Sequence, residues 1–383
     1  MGEGAGADGV AAAHRPPLVV IGGPTATGKT ALAVRLALAL TADGHPAEVI
    51  SADSRQVYRG MDVGTAKPTL AERGGVPHHG LDLVDPDEPF SVADFAGHVD
   101  AILPRLADRG GVAILVGGTG FWLRAIADGL ALDAVPWDPE IRAVVEAELA
   151  EKGLGELVMR LRAIAPALAG RVDLHNPRRV VRALEIATLQ GDAPLPAPRG
   201  YGGPVVRVAL DVADRSLHAA WIASRAAAQL DGGILAEAAA LRARYPASLP
   251  ALSAIGYREA ADLLDGRLDR AGYLAVNVRR NVQFARRQRT WFRREPVDLD
   301  LDPSAGDALP AVVRLAASRL FGDGVPAAPG RGGPGGRGEV GQFGERLLGR
   351  PAGIVTGVDG DQEGALDRRR EFDGGGSGHG PKG

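Results

Sequence analysis

The chain has 383 residues, 45% hydrophobic and 24% charged, which is enough for a sizeable core and ordinary for a globular protein. It has no cysteine, which excludes disulfides and thiolate metal sites and suits a reducing cytoplasm. A net charge of −3 excludes a uniformly basic polyanion binder. Lysine occurs only at Lys29, Lys67, Lys152 and Lys382, however, so nearly all 44 basic side chains are arginine and their clustering carries the information.

Residues 1–16 read as a disordered leader without the apolar run of a signal peptide, and no stretch approaches a membrane span in length. Residues 18–21 form an apolar, β-branched run, as a buried parallel strand should. Gly23-Pro24-Thr25-Ala26-Thr27-Gly28-Lys29-Thr30 then fits the G-x-x-x-x-G-K-[ST] pattern without mismatch, and residues 31–40 continue as helix. A strand, glycine loop and helix wrap a phosphate in backbone N–H groups. Lys29 adds a point charge and Thr30 a hydroxyl suited to Mg²⁺.

A second strand over 48–52 delivers Asp53 beyond its carboxyl end, beside the phosphate loop. Residues 57–90 are loop-like. Ser91 caps a helix over 91–108 with Asp94 in capping-box position. A third strand, 112–116, ends in Gly117-Gly118-Thr119-Gly120, and helix resumes over 121–129. From 138 to 190 the pattern is helical throughout, and a Pro/Gly linker spans 192–204. Residues 205–210 return to strand in the same sheet, and 215–244 are helical apart from Gly232-Gly233. A turn at 253–258 precedes a long helix, 270–294, in which Arg279, Arg280, Arg286, Arg287, Arg289, Arg293 and Arg294 interleave with Phe284, Trp291 and Phe292. That helix should pack an apolar side and expose a cationic one. A short helix covers 312–321. The Gly/Pro/Arg-rich tail, 322–383, should be disordered.

The expected fold is α/β. A parallel-sheet core of the phosphate-loop NTPase kind, flanked by helices, spans 17–125 and 203–321, and an all-helical insert occupies 126–202. The phosphate loop by itself admits an NTPase, a small-molecule kinase or a transferase using a diphosphate donor. Strand 112–116 ends without the carboxylate that NTPases use for Mg²⁺, which argues against a motor or GTPase. Asp53 is then the nearest candidate carboxylate, as general base or as a metal partner. Thr119 is a candidate hydroxyl donor. His78-His79 lack accompanying ligands and read as loop or core residues. The arginine helix suits a phosphodiester backbone, and Arg178, Arg179 and Arg182 form a weaker cationic cluster, so the acceptor reads as a nucleic acid.

Six ordered motifs carry a resemblance: residues 23–30, Asp53 to Pro68, Gly117 to Gly120, Arg178 to Glu185, Ala254 to Glu259, and Arg286 to Arg293. Over about 17–320 the chain resembles the tRNA dimethylallyltransferases, also called tRNA isopentenyltransferases. The resemblance implies transfer of a dimethylallyl group from dimethylallyl diphosphate to N6 of adenosine 37 in tRNA. It implies the donor diphosphate and Mg²⁺ at Gly23 to Thr30, Asp53 as general base, and Thr119 and Arg225 in the catalytic set. Implied tRNA contacts are Asp53, Ser54, Arg55, Gln56, Thr119, Arg142, Arg178, Arg179, Arg182, Ser253, Gly256, Tyr257, Arg258, Arg286, Arg287, Gln288, Trp291 and Arg293. Phe121-Trp122, Gly80 and Trp221 depart from the family's usual residues. A monomeric, cytoplasmic enzyme is expected. Rival readings are an isopentenyltransferase acting on free adenine nucleotides, a small-molecule kinase, and a non-enzymatic RNA-binding protein. The arginine clusters and the insert favour the large acceptor over the first of these.

Overall fold

A computed structural model describes residues 15–321, so the disorder expected for the start of the leader and for the tail 322–383 falls outside the described residues. The chain opens with β1 (Leu18–Gly22), α1 (Lys29–Ala42), β2 (Ala47–Ser51), α2 (Leu70–Arg73), β3 (His78–His79), α3 (Val92–Asp108), β4 (Val112–Gly117) and α4 (Gly120–Ala127). Three helices follow: α5 (Pro139–Ile164), α6 (Pro166–Ala169) and α7 (Pro177–Gln190). It continues with β5 (Val205–Leu210), α8 (Arg215–Asp231), α9 (Ile234–Arg244), α10 (Tyr257–Leu264), α11 (Arg270–Phe292), β6 (Leu299–Leu301) and α12 (Leu309–Ala316).

The six strands form one parallel sheet in the order β3-β2-β4-β1-β5-β6. Every residue of β1 and β4 is buried, because both faces of this sheet are covered by helices. The strand period of two divides the core. Val19 and Ile21 pack with Leu36, Leu40 and Val312 on one face, and Leu18 and Val20 with Phe95, Leu103 and Trp122 on the other. Since β4 lies between β1 and β2, the turns leaving all three strands meet at one edge. That is where ligands bind in open α/β sheets.

Several expectations need adjustment. The loop-like stretch 57–90 holds the short α2 and β3, and β6 was not anticipated. The leader does not extend to residue 16: Arg15 pairs with Asp100 at 2.8 Å, and the Pro16 carbonyl accepts from the Tyr201 hydroxyl at 2.9 Å. The insert's own apolar cluster joins Val145, Leu157, Leu161, Val180 and Leu184, whereas Ile126, Ala127 and Tyr201 belong to the sheet's core. Arg199 and Gly200 N–H groups donate to the carbonyls of Gly129 and Asp128, closing a neck inside the expected limits 126–202.

The buried side of α11 is not the apolar face its aromatics suggested. It consists of Tyr273, Asn277, Asn281, Ala285 and Gln288, a largely polar stripe at helical spacing. Buried amides need partners: Asn277 and Asn281 find theirs in Tyr273, each other and Arg225, and Gln288 in the turns after β1 and β4.

Candidate active site

The phosphate loop is shaped by three backbone positions. Gly23 (φ +140°) leaves a Cβ no room, since one would lie 2.2 Å from the Leu210 carbonyl oxygen. Ala26 (φ 61°) is left-handed without being glycine, a strain of about 1–2 kcal/mol that the surroundings must hold in place. Gly28 (φ 78°) is the N-cap of α1 and no side chain caps that helix, so its first-turn N–H groups are open to an anion. Inside the loop, the buried Thr27 hydroxyl donates to the Pro24 carbonyl at 2.9 Å, and the Lys29 ammonium donates to the same oxygen. Thr27 thus closes the loop. The Thr30 hydroxyl makes no hydrogen bond among the described residues and is available to a ligand.

Two cations meet here. Burial, with the Arg225 guanidinium as a nearby like charge, brings the Lys29 ammonium down to about 7, although Asp53 pulls the other way. Burial also lowers Arg225, again against Asp53. Neither cation has a carboxylate within 4.0 Å among the described residues; Asp53 acts on both from further away. Arg225 is aimed by α11: its Nη2 donates to Asn281 Oδ1 at 3.4 Å, Asn281 Nδ2 to Asn277 Oδ1 at 2.7 Å, and Asn277 Nδ2 to the Tyr273 hydroxyl at 3.1 Å. Two uncompensated cations beside open N–H groups make a site for a multiply charged anion.

Asp53 leaves β2 in an Asx turn, one carboxylate oxygen accepting the Arg55 N–H at 2.9 Å. Its other oxygen accepts no hydrogen bond among the described residues. Thr119 is the N-cap of α4 without capping it; its hydroxyl accepts the Ser54 N–H at 3.2 Å and ties the β2 and β4 turns together. The Thr30 hydroxyl and Asp53 carboxylate are hard oxygen donors of the kind Mg²⁺ takes alongside phosphate oxygens and water. Among the described residues no three His, Cys, Asp or Glu side chains gather to hold a metal unaided.

The remaining site residues divide into those exposed and those turned inward. Arg178, Arg179, Ser253, Arg258, Arg286, Arg287 and Arg293 are exposed. Arg142 and Arg182 flank the fully buried Glu185 at 3.8 and 2.8 Å. Gln56 is spent internally on Ser51, Thr65 and Ala66. Tyr257 is buried with its hydroxyl on Glu237 at 2.6 Å, and Gly256 is buried beside it. Glu237 also accepts the N–H groups of Asp62, Val63 and Gly64, clamping the loop after Asp53. Gln288 bridges loops: Thr25 N–H donates to its Oε1, and its Nε2 donates to the Gly118 carbonyl, both at 2.9 Å. Trp291 packs against Gly120, edge-on to Phe121 at 6.5 Å. Part of the cationic face of α11 is neutralised, Arg280 by Glu259 and Arg289 by Asp211. Glu237 and the Asn281–Asn277 relay escaped sequence reading, though the polar stripe at 273, 277, 281 and 288 was legible.

Two of the departures have local reasons. Trp122 stacks on Phe95 at 4.5 Å within the core. Gly80 (φ 78°) lies so close to the Ser51 carbonyl oxygen that a Cβ would be 2.4 Å from it. Nothing in the structure explains Trp221.

Residues 56–295 match the family described as IPP transferase, and residues 16–78 that described as Isopentenyl transferase. A tRNA dimethylallyltransferase of Roseiflexus sp. (strain RS-1) is 43% identical over 295 residues, 76% of this chain and 94% of its own. That of Anaeromyxobacter dehalogenans (strain 2CP-C) is 46% identical over 287 residues, 73% and 92% of the two chains. Among solved structures, a full-length tRNA isopentenylpyrophosphate transferase from Bacillus halodurans aligns with TM-score 0.57 at 36% identity, over 79% of this chain and 94% of that one. A eukaryotic dimethylallyltransferase acting on tRNA shares the fold, with TM-score 0.64 at 21% identity over 79% of each chain.

Proposed function

Since this chain belongs to the IPP transferase family, we propose that it transfers a dimethylallyl group from dimethylallyl diphosphate to N6 of adenosine 37, beside the anticodon of tRNA. The observation that carries the reading is the pairing of Lys29 and Arg225, two cations without ion-pair partners among the described residues, with one free oxygen of Asp53 nearby. A site that binds a polyanion next to a free carboxylate suits a reaction in which diphosphate leaves and a proton must be taken.

The adenine N6 attacks C1 of the dimethylallyl group, the C1–O bond breaks with its electron pair going to diphosphate, and one N6 proton passes to Asp53. Lys29, Arg225 and the open N–H groups of α1 stabilise the charge that grows on the leaving oxygen. Mg²⁺, when bound, would supply further neutralisation of that charge, and the Thr30 hydroxyl is the side chain that would hold it, which leaves the free oxygen of Asp53 for the N6 proton. Thr119 and the Ser54 N–H keep the Asp53 turn against the β4 turn, so base and donor loop stay in register. No carboxylate ends β4, which is consistent with a loop that binds diphosphate without hydrolysing a triphosphate.

The acceptor must leave its stack to reach Asp53, while exposed Arg286, Arg287 and Arg293 suit the RNA backbone. A cysteine-free chain suits a reducing cytoplasm. Among the described residues no helix is long and apolar enough to cross a membrane. The test is incorporation of labelled dimethylallyl diphosphate into tRNA, AMP or ATP with Mg²⁺, comparing wild type with Asp53→Ala. Label is expected in tRNA and to fall by about 10²-fold or more in the variant. Label in AMP alone would overturn the acceptor, and full turnover by Asp53→Ala would overturn the base.

A further inference from the structure

We propose that His218 is a positioning residue of the phosphate loop, and that its neutral form fixes the loop for the donor diphosphate. The side chain is 3% exposed, on the first turn of α8, and among the described residues its hydrogen bonds go to neither Lys29 nor Arg225. Its Nε2 lies 2.9 Å from the Thr25 carbonyl oxygen, and its Nδ1 2.9 Å from Arg289 Nη2.

The partners decide the tautomer. A carbonyl oxygen only accepts, so Nε2 carries the proton. A guanidinium only donates, so Nδ1 offers its lone pair. Arg289 is itself held by Asp211, its Nε 2.8 and 2.9 Å from the two carboxylate oxygens. A chain Asp211–Arg289–His218–Thr25 therefore runs from the end of β5 through α11 to the loop. Gln288 takes the Thr25 N–H, so both backbone groups of Thr25 are held by side chains. The next residue is Ala26, whose left-handed conformation needs restraint from outside.

Protonation would undo this arrangement. A second N–H would face the Arg289 guanidinium, and the new cation would sit among Arg289, Arg215, Arg286 and Arg293, which line the same groove of about 430 Å³ between α8 and α11. Among the described residues Asp211 is the carboxylate that acts on His218, and it is already engaged by Arg215 and Arg289; Asp302 acts on Arg215 alone of the four. Burial and Arg289 hold the His218 imidazole below its ordinary range, so the neutral form prevails at neutral pH. This inference rests on the proposed donor site, but the diphosphate-binding measurement that tests it needs no acceptor.

The experiment compares wild type, His218→Gln and His218→Leu as full chains with Mg²⁺. Inorganic diphosphate affinity is measured by calorimetry between about pH 5 and 8, together with thermal melting and separate KM values for donor and tRNA. Gln keeps one donor and one acceptor but cannot titrate; Leu fills the space with neither. His218→Leu is expected to weaken diphosphate binding and raise the donor KM by about tenfold, with the tRNA KM within about twofold. His218→Gln is expected to stay within about threefold of wild type at neutral pH and to lose less affinity on acidification. Should the Leu variant fail to fold, the comparison of Gln with wild type decides. Leu equal to wild type, or Gln losing affinity on acidification as steeply as wild type, overturns the proposal. Diphosphate binding without prenyl transfer to tRNA would overturn the functional reading and leave this one standing.

Discussion

Gln288 and Thr25 lie 263 positions apart in the chain and are joined by a hydrogen bond of 2.9 Å, the Thr25 N–H donating to the Gln288 side-chain oxygen. Because the same amide donates to the Gly118 carbonyl, one side chain of α11 holds the turns after β1 and β4 at a fixed separation. Gln288→Leu leaves a half-buried N–H and a half-buried carbonyl unpaired, at a cost of up to about 1–3 kcal/mol for each group lost. The expected result is a lower melting temperature and a raised donor KM, with Gln288→Glu recovering only the bond from Thr25. Melting and steady-state kinetics on both variants check this.

Lys29 should take up a proton when a diphosphate binds. Its ammonium is brought down to about 7 in the free chain, and the anion favours the charged form. At a pH above about 7, binding is expected to consume up to one proton, read by calorimetry in buffers of different ionisation heat. Lys29→Arg should abolish the uptake. The folded chain binds fewer protons than the unfolded one between about 7 and the ordinary lysine value, so stability from this group rises with pH across that window. Lys29→Met should therefore raise the melting temperature of the free protein by a few °C, most at or below about pH 7, while destroying diphosphate binding.

Arg225 is expected to act on the transition state more than on donor affinity, because charge on the leaving oxygen grows as the C–O bond breaks. Arg225→Ala should lower kcat by about 10²–10³ with a smaller change in donor KM. Asn281→Ala, which removes the hydrogen bond aiming the guanidinium and the bonds to Asn277 but keeps the guanidinium itself, should lower it less. Equal losses in the two variants would contradict this division of roles.

The arginines of α11 should separate by salt dependence. Arg286 and Arg293 are exposed, whereas Arg289 is held by Asp211 and His218. Arg286→Ala and Arg293→Ala are each expected to reduce the slope of log affinity for tRNA against log salt by about one. Arg289→Ala should leave that slope nearly unchanged and instead destabilise the fold. Filter binding across a salt series distinguishes them.

Much was legible in the chain alone wherever the determinant is local. The run over 18–21, the loop from Gly23 to Thr30 and helix α1 follow from burial pattern, backbone freedom and helix propensity within a single stretch. The capping box of Ser91 and Asp94 likewise forms as written, with Asp94 accepting the Ser91 N–H at 2.8 Å. The Arg-rich helix, the helical insert and the family motifs were also readable in order. Their spacing reflects which residues share an element, and spacing is what a sequence states directly.

What faces each element was decided only by the tertiary structure. Helical period says that Asn277, Asn281 and Gln288 share a side, but not that Arg225 and Thr25 stand opposite. Arg280 and Arg289 looked like their exposed neighbours until Glu259 and Asp211, distant in sequence, neutralised them. His218 carried no motif at all. A charge or hydrogen-bonding group is defined by its partner, and in this chain those partners are brought together by the strand order β3-β2-β4-β1-β5-β6, which no local pattern encodes.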